Sequence, residues 1–231
     1  MFVRSAVVCL AASAWVSVIA PGAVAAQSYR AHWALDEVGS GKALDSSGNG
    51  NDGTNAHVVG DGSGYTFNGT NARVVVPNAA SLNPGSASFS FGVTLTMTSP
   101  PTPSNETYDV LRKGLVSTRG GDYKLEIMNS GGKAVAHCVV RSFRTNGTKV
   151  LASVTSTASL ADGRPHTVGC AKSATGLTVT VDSLPARTKT YSGGLGSVSN
   201  TAALGLGAKP EVNPDTGYDW FKGVLSDAWV A

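Results

Sequence analysis

Charge is scarce in this sequence. Asp, Glu, Lys and Arg supply 14% of its residues, against about 25% in ordinary soluble domains. The shortage falls hardest on glutamate, which occurs only at Glu37, Glu106, Glu126 and Glu211. A glycosidase needs two carboxyl groups roughly 5–10 Å apart. Within one strand, positions i and i+2 put both on one face. No glutamate here has a second carboxylate two residues away, and the neighbours Asp36 and Glu37 would diverge on a strand. An enzyme is therefore not expected, and no Gly-x-Ser-x-Gly elbow supplies a nucleophile. His32, His57, His137 and His166 stand far apart without zinc-site spacing. The net charge is only +3, and its Lys and Arg are scattered without runs. That pattern excludes a nucleic-acid footprint.

Cysteine is scarcer still, at Cys9, Cys138 and Cys170. Residues 1–26 read as a secretory leader: Arg4, then an apolar stretch from Ala6 to Ala20, then Pro21-Gly22 and the small residues Ala23 to Ala26. That stretch is short of the ~20 apolar residues a membrane span needs. Cys9 has no lipobox before it. The expectation is a freely secreted, extracellular chain with no membrane anchor, running from 27 to 231. Cys9 leaves with the leader, and the two remaining cysteines face an oxidising compartment. A disulfide between Cys138 and Cys170 is the expected outcome, with buried free thiols as the alternative.

A helical stripe is missing too. What is present alternates at period two. Phe89, Phe91, Val93, Leu95 and Met97 interleave with Ser90, Gly92, Thr94 and Thr96. Tyr123, Leu125 and Ile127 interleave with Lys124 and Glu126, and Leu177, Val179 and Val181 with Thr178 and Thr180. This is the signature of half-buried strands. Glycine, at 28 residues, punctuates them in turns such as Asn68-Gly69, Asn129 to Gly132 and Asp162-Gly163. Many short strands with glycine-rich turns predict one all-β domain, an antiparallel β-sandwich or jelly roll. If the strands around Cys138 and Cys170 are neighbours in one sheet, their sulfurs meet across the ladder or at an offset.

The run Asp45 to Thr54 stands apart. It holds three glycines and no side chain fit for a core. Tight turns there point the oxygens of Asp45, Asn49, Asn51 and Asp52 inward. A hard cation such as calcium takes about 6–8 oxygens, so this is the chain's best candidate metal loop. The other reading is a plain turn closed by Asx hydrogen bonds. Among tryptophans outside the leader, Trp33 is in phase with Ala31 and Leu35 and reads as core. Trp220 follows the Gly/Pro/Asn-rich stretch 212–217 and is a candidate for a ligand-binding rim, or for packing beside Phe221.

An ordered series of segments resembles a known family. His32-Trp33-Ala34-Leu35-Asp36-Glu37 opens it, and Asp45-Ser46-Ser47-Gly48-Asn49-Gly50-Asn51-Asp52-Gly53 follows. Then come Tyr65-Thr66-Phe67-Asn68-Gly69, Arg73 to Pro77, Val110-Leu111-Arg112-Lys113-Gly114, Leu160 to Val168, and Phe221-Lys222-Gly223-Val224-Leu225. Across Tyr29 to Ala231 the chain is similar to laminin G-like, concanavalin A-like jelly-roll domains of secreted actinobacterial proteins. The resemblance implies a concanavalin A-like sandwich and a secreted binding module, acting as a monomer on an extracellular glycan or glycoprotein surface. A protein-interaction or adhesion module is the alternative, and a glycan-active hydrolase or lyase is the third reading. It also implies a structural calcium held by the Asp45 loop and the closing strand, with Asp45, Asn49, Asn51 and Asp227 as ligands. Two departures stand out. Pro165 replaces the family's Trp, and Ser226 occupies the closing strand's Asp position. Asp227 can substitute only if a bulge shifts the register, because adjacent strand residues point to opposite faces.

Overall fold

The computed structural model describes residues 28–39, 41–102, 107–211 and 219–231. The leader assigned to 1–26 and the stretch 212–217 before Trp220 lie outside these residues. The alternating segments become strands: β1 (Ala31–Trp33), β2 (Lys42–Ala43), β3 (Gly53–Ala56), β4 (Val59–Gly60), β5 (Tyr65–Asn68), β6 (Arg73–Val76), β7 (Phe89–Thr96) and β8 (Thr107–Lys113). They continue as β9 (Asp122–Ser130), β10 (Lys133–Phe143), β11 (Lys149–Thr155), β12 (His166–Lys172), β13 (Gly176–Val181), β14 (Arg187–Thr190), β15 (Leu204–Leu206) and β16 (Lys222–Val230). A single 3₁₀ turn at Ala80–Leu82 is the helical content of the described residues.

Two antiparallel sheets form the sandwich. The first runs β14-β13-β12-β7-β16-β5-β4, with β1 paired to β16, and the second runs β11-β10-β9-β8-β15-β6-β3-β2. Their apolar faces meet. Phe91, Val93 and Leu95 from the first sheet and Tyr123, Leu125 and Ile127 from the second are all fully buried. Burial of such side chains is the dominant favourable contribution to folding, about 1.5–3 kcal/mol each. Trp33 belongs to this core. Its indole N–H donates to the Asn51 carbonyl at 2.8 Å, which ties the Asp45 loop to the sandwich.

Cys138 and Cys170 form a disulfide with Cα atoms 5.7 Å apart. The bond does not cross a ladder, as neighbouring strands would require. Cys138 lies on β10 of the second sheet and Cys170 on β12 of the first, so it joins the two sheets face to face. Lys113 serves as a second internal tie. Its buried ammonium donates to Asn78 Oδ1, to both the carbonyl and Oδ1 of Asn200, and to the Ala202 carbonyl. Burial lowers its pKa to about 8.

The closing strand carries a β-bulge. Leu225 pairs with Leu95 and Asp227 with Thr94, so Ser226 is the extra residue. Leu225 and Ala228 are buried, while Ser226 and Asp227 are both half-exposed. After the bulge the alternation resumes, with Trp229 outward and Val230 in the core.

Candidate functional site

The Asp45 loop is closed by its own hydrogen bonds. Asp45 Oδ1 accepts from the backbone N–H groups of His32 and Ser47, both at 2.9 Å. Asp45 Oδ2 accepts from the Ser47 hydroxyl and from the backbone and side-chain N–H groups of Asn51. Burial works to raise the Asp45 pKa, but these bonds more than reverse it and hold the carboxyl below its usual range. Asn49 and Asn51 turn their amide nitrogens, not their oxygens, toward the Arg30 carbonyl. The bulge that Asp227 requires is present, yet Asp227 accepts from His32 Nε2 at 2.8 Å instead of joining Asp45. In this arrangement the Asp45 oxygens are engaged by N–H and O–H donors, and the loop is closed as an Asx-bonded turn. No group of three or more His, Cys, Asp and Glu side chains set to hold a metal occurs among the described residues.

The first half of the outer face of the second sheet tells a different story. It should be solvated, but its charges are buried. Asp109 and Asp122 are both 0% exposed, and Arg112 and Glu126 are 4%. Asp109 lies opposite Glu126 across the β8–β9 ladder, Glu126 opposite His137, and Asp122 opposite Arg141. The sheet thus assembles the carboxyl pair that no single strand contained. The side-by-side spacing sought within one strand arises instead between two, where directly opposed residues sit about 4.5–5.5 Å apart at Cβ.

The contacts form a chain. Arg112 Nη1 donates to Asp109 Oδ2 at 3.0 Å, and Lys124 pairs with Glu126. The His137 ring nitrogen Nδ1 meets Glu126 Oε1 at 2.8 Å, and Arg141 Nη1 reaches both oxygens of Asp122. Asp109 Oδ1 has no hydrogen-bond partner, and Lys124 Nζ stands 4.0 Å from it. Burial raises the Asp109 pKa against the pull of Arg112 and Lys124. Burial also pushes Glu126 upward, but the His137 hydrogen bond and Lys124 prevail and bring it down to about 2. Environments that drive two facing carboxyls apart are what acid–base chemistry uses.

A return segment seals one half of this face. A Cβ on Gly205 would run into the Ala208 carbonyl and Pro210, because the chain folds back over β15 there. Gly207 donates its N–H to the Val110 carbonyl, and Asp109 donates its own to the Asp219 carbonyl. Lys209, also buried, pairs with Asp219 at 2.7 Å. Trp220 follows Asp219 in this segment and is half-buried, with the Arg73 guanidinium 5.9 Å from its ring centre. Beneath the segment Asp109 touches no solvent, so the split carboxyl pair holds the sheet and shows no positive sign of catalysis.

The other half stays open. Beside Glu126 and His137 lies a groove of about 560 Å³, walled by Met128, Asn129, Lys133, Val135, Thr155 and Arg187, among others. Arg187 is fixed there by donating to the Thr155 carbonyl at 2.8 Å. The polar positions Lys124 and Glu126 on β9 were the sequence signal for this face. The partners from β8 and β10 were not readable, since register is a tertiary property.

No family model matches this sequence, and no curated protein matches it. Solved structures do share the fold. The binding domain of botulinum neurotoxin serotype G superposes with a TM-score of 0.60 at 11% identity, over 88% of this chain and 47% of the toxin domain. The binding domain of Paraclostridial Mosquitocidal Protein 1 gives 0.56 at 14% identity, over 87% and 48%. A Trypanosoma rangeli sialidase in complex with 2,3-difluorosialic acid gives 0.59 at 13%, over 88% and 30%. The chain therefore spans about half the length of the two toxin binding domains and under a third of the sialidase. Identities this low speak to the sandwich alone.

Proposed function

We propose that this chain is a secreted, non-catalytic binding module that recognises carbohydrate or a glycan-bearing extracellular surface, as a monomer. The observation that carries this reading is the groove beside Glu126 and His137. Its volume, about 560 Å³, lies within the roughly 300–1,000 Å³ of ligand sites. Its wall sets the apolar Met128 and Val135 against the donors of Asn129, Thr155, Lys133 and Arg187. That is the mix a sugar asks for: apolar contact with C–H groups, and hydrogen bonds to hydroxyls. Arg187 is held by the Thr155 carbonyl and Asn129 by the Pro101 carbonyl, and a wall ordered in advance lowers the ordering cost of binding. The disulfide fits an oxidising compartment, and two of the fold neighbours are named as binding domains.

The test is a glycan array probed with the chain from residue 27 onward, followed by calorimetry on the best ligand. The double substitution Lys133→Ala with Arg187→Ala should weaken binding by about tenfold, or about 1.4 kcal/mol. Release of reducing ends or unsaturated products would refute the non-catalytic reading. Capture of a protein partner that survives deglycosylation would replace the sugar by an adhesion role.

A further inference from the structure

We propose a second carbohydrate site on the opposite side of the molecule: a strip on the outer face of the first sheet, centred on Trp229, that takes a neutral polysaccharide by stacking a pyranose ring on the indole. It rests on the reading of the chain as a carbohydrate binder, but it uses another face and another ligand chemistry.

The strip follows from the register. Trp229 pairs with Gly92, Gly92 with Gly169, and Gly169 with Thr180, so one row of partners crosses four strands. A Cβ on Gly92 would overlap the benzo ring of Trp229, and one on Gly169 would come within 4.0 Å of it. The ring therefore rests where two side chains are missing. Glycine inside a strand weakens it, yet a side chain at Gly92 would also meet the Val168 carbonyl and one at Gly169 the Thr180 hydroxyl, so this row is closed to larger residues. An aromatic ring can shield bare glycine backbone, and that accounts for the ring's seat. It does not account for what surrounds the ring.

On one side of this row stand Asp227, Thr94 and Thr167, which are partners across three strands. On the other stand Ser90, Ala171, Thr178 and Thr188. Rows two residues apart along a strand are separated by about 6.6–6.8 Å, so hydroxyls flank the ring at the reach of a sugar's substituents. The Thr94 and Thr167 hydroxyls are 3.1 Å apart and those of Thr178 and Thr188 2.7 Å. Apart from Asp227, none of these residues is charged.

Two carboxylates mark the ends of the strip. Asp227 is held by His32, whose ring stacks on Tyr29 at 4.6 Å beside Trp229. Asp182 is held by His166 at 2.7 Å and accepts from the backbone N–H of Thr167. These acceptors suit hydroxyl donors and repel an anionic polymer. An aromatic seat with flanking hydroxyls and acidic ends selects a neutral, ribbon-like β-1,4-linked glycan.

The chain from residue 27 onward is mixed with microcrystalline cellulose and with insoluble chitin, and polygalacturonate serves as the anionic control. Retention is expected on a neutral polymer and not on polygalacturonate. Trp229→Leu keeps an apolar cover over the glycines and should weaken retention at least tenfold. Because this variant can also lose stability, the indole N–H resonances of the unaltered protein are followed during titration with soluble cello- and chito-hexaose. The Trp229 resonance should move, and that of the core residue Trp33 should stay. Glycan-array binding with no retention on either polymer, or a Trp229 resonance that stays still, would overturn this inference and leave the proposed function standing. Failure to retain any glycan in any format would remove both.

Discussion

Glu126 makes the buried charges of the second sheet testable. Its folded pKa is about 2 against 4.5 for the ordinary group. The native state thus keeps the carboxylate charged where the unfolded chain protonates it. Stability from this group is complete above pH 4.5 and is lost as pH falls through 2. The gap corresponds to about 3 kcal/mol, of which roughly 60% is gone by pH 3. Asp109 runs the other way. Its folded pKa is raised, so its ionisation costs stability at neutral pH, and acid relieves that cost. Glu126→Gln separates the two. At pH 7 it should lose about 3 kcal/mol, because the half-buried Lys124 and His137 are left without their anion. In urea that is a midpoint lower by about 1 M for a domain of this size. Urea titrations at pH 7, 5, 4 and 3 should show the deficit shrinking as the wild type loses its own contribution. A deficit that stays constant across that range, or one below about 1 kcal/mol at pH 7, would refute the electrostatic account and leave Glu126 as a packing residue.

Other perturbations reach different parts of the sandwich. Replacing Cys138 and Cys170 together by Ala should cost about 3–4 kcal/mol, because the bond closes a separation of 32 residues; thermal melting of the variant reads this as a fall of roughly 10 °C. Melting in calcium and in EDTA should give equal midpoints, since the oxygens of Asp45 are already taken by five donors. A bound ion at 100 times its Kd would instead add about 2.7 kcal/mol, and a calcium-specific rise abolished by Asp45→Ala would restore the metal loop. Burial lowers the His166 pKa, but the hydrogen bonds its ring donates to Asp182 and Asp162 raise it further, so its folded pKa lies above 6.5. Its stabilising contribution is full below pH 6.5 and fades as pH rises through that folded value; an NMR titration should show Asp182→Asn bringing the midpoint down.

The fold was legible because it is local. Period-two patterning at Phe89–Thr96 and Asp122–Ser130 told which residues face inward, and the core obeys it at Phe91, Val93, Leu125 and Ile127. Trp33 in phase with Leu35 likewise proved to be core. What pairs with what was not legible. That Cys138 and Cys170 pair was readable, but whether their strands are neighbours was not, because sequence does not say which sheet a strand joins. The carboxyl pair was hidden for the same reason, since Asp109 and Glu126 meet only once β8 and β9 are in register. Exposed strands such as Arg187–Thr190 carry no apolar alternation, and nothing in their pattern announced them.

The bulge at Ser226 is also a rule about tolerance. In a regular strand, moving an acidic residue by one position turns it from one side to the other. Here Ser226 and Asp227 both look outward between the buried Leu225 and Ala228. A carboxylate at either position would be presented to the same side, so an exchange of Asp between 226 and 227 is a small displacement and not an inversion. Deleting one of the two residues would be milder than a deletion elsewhere in the strand. Leu225 would still face Leu95 and Ala228 would still face Val93, so the bulge would be lost while Trp229 stayed outward and Val230 stayed in the core. The extra residue thus sets the local bend of the closing strand and not the phase of its two ends.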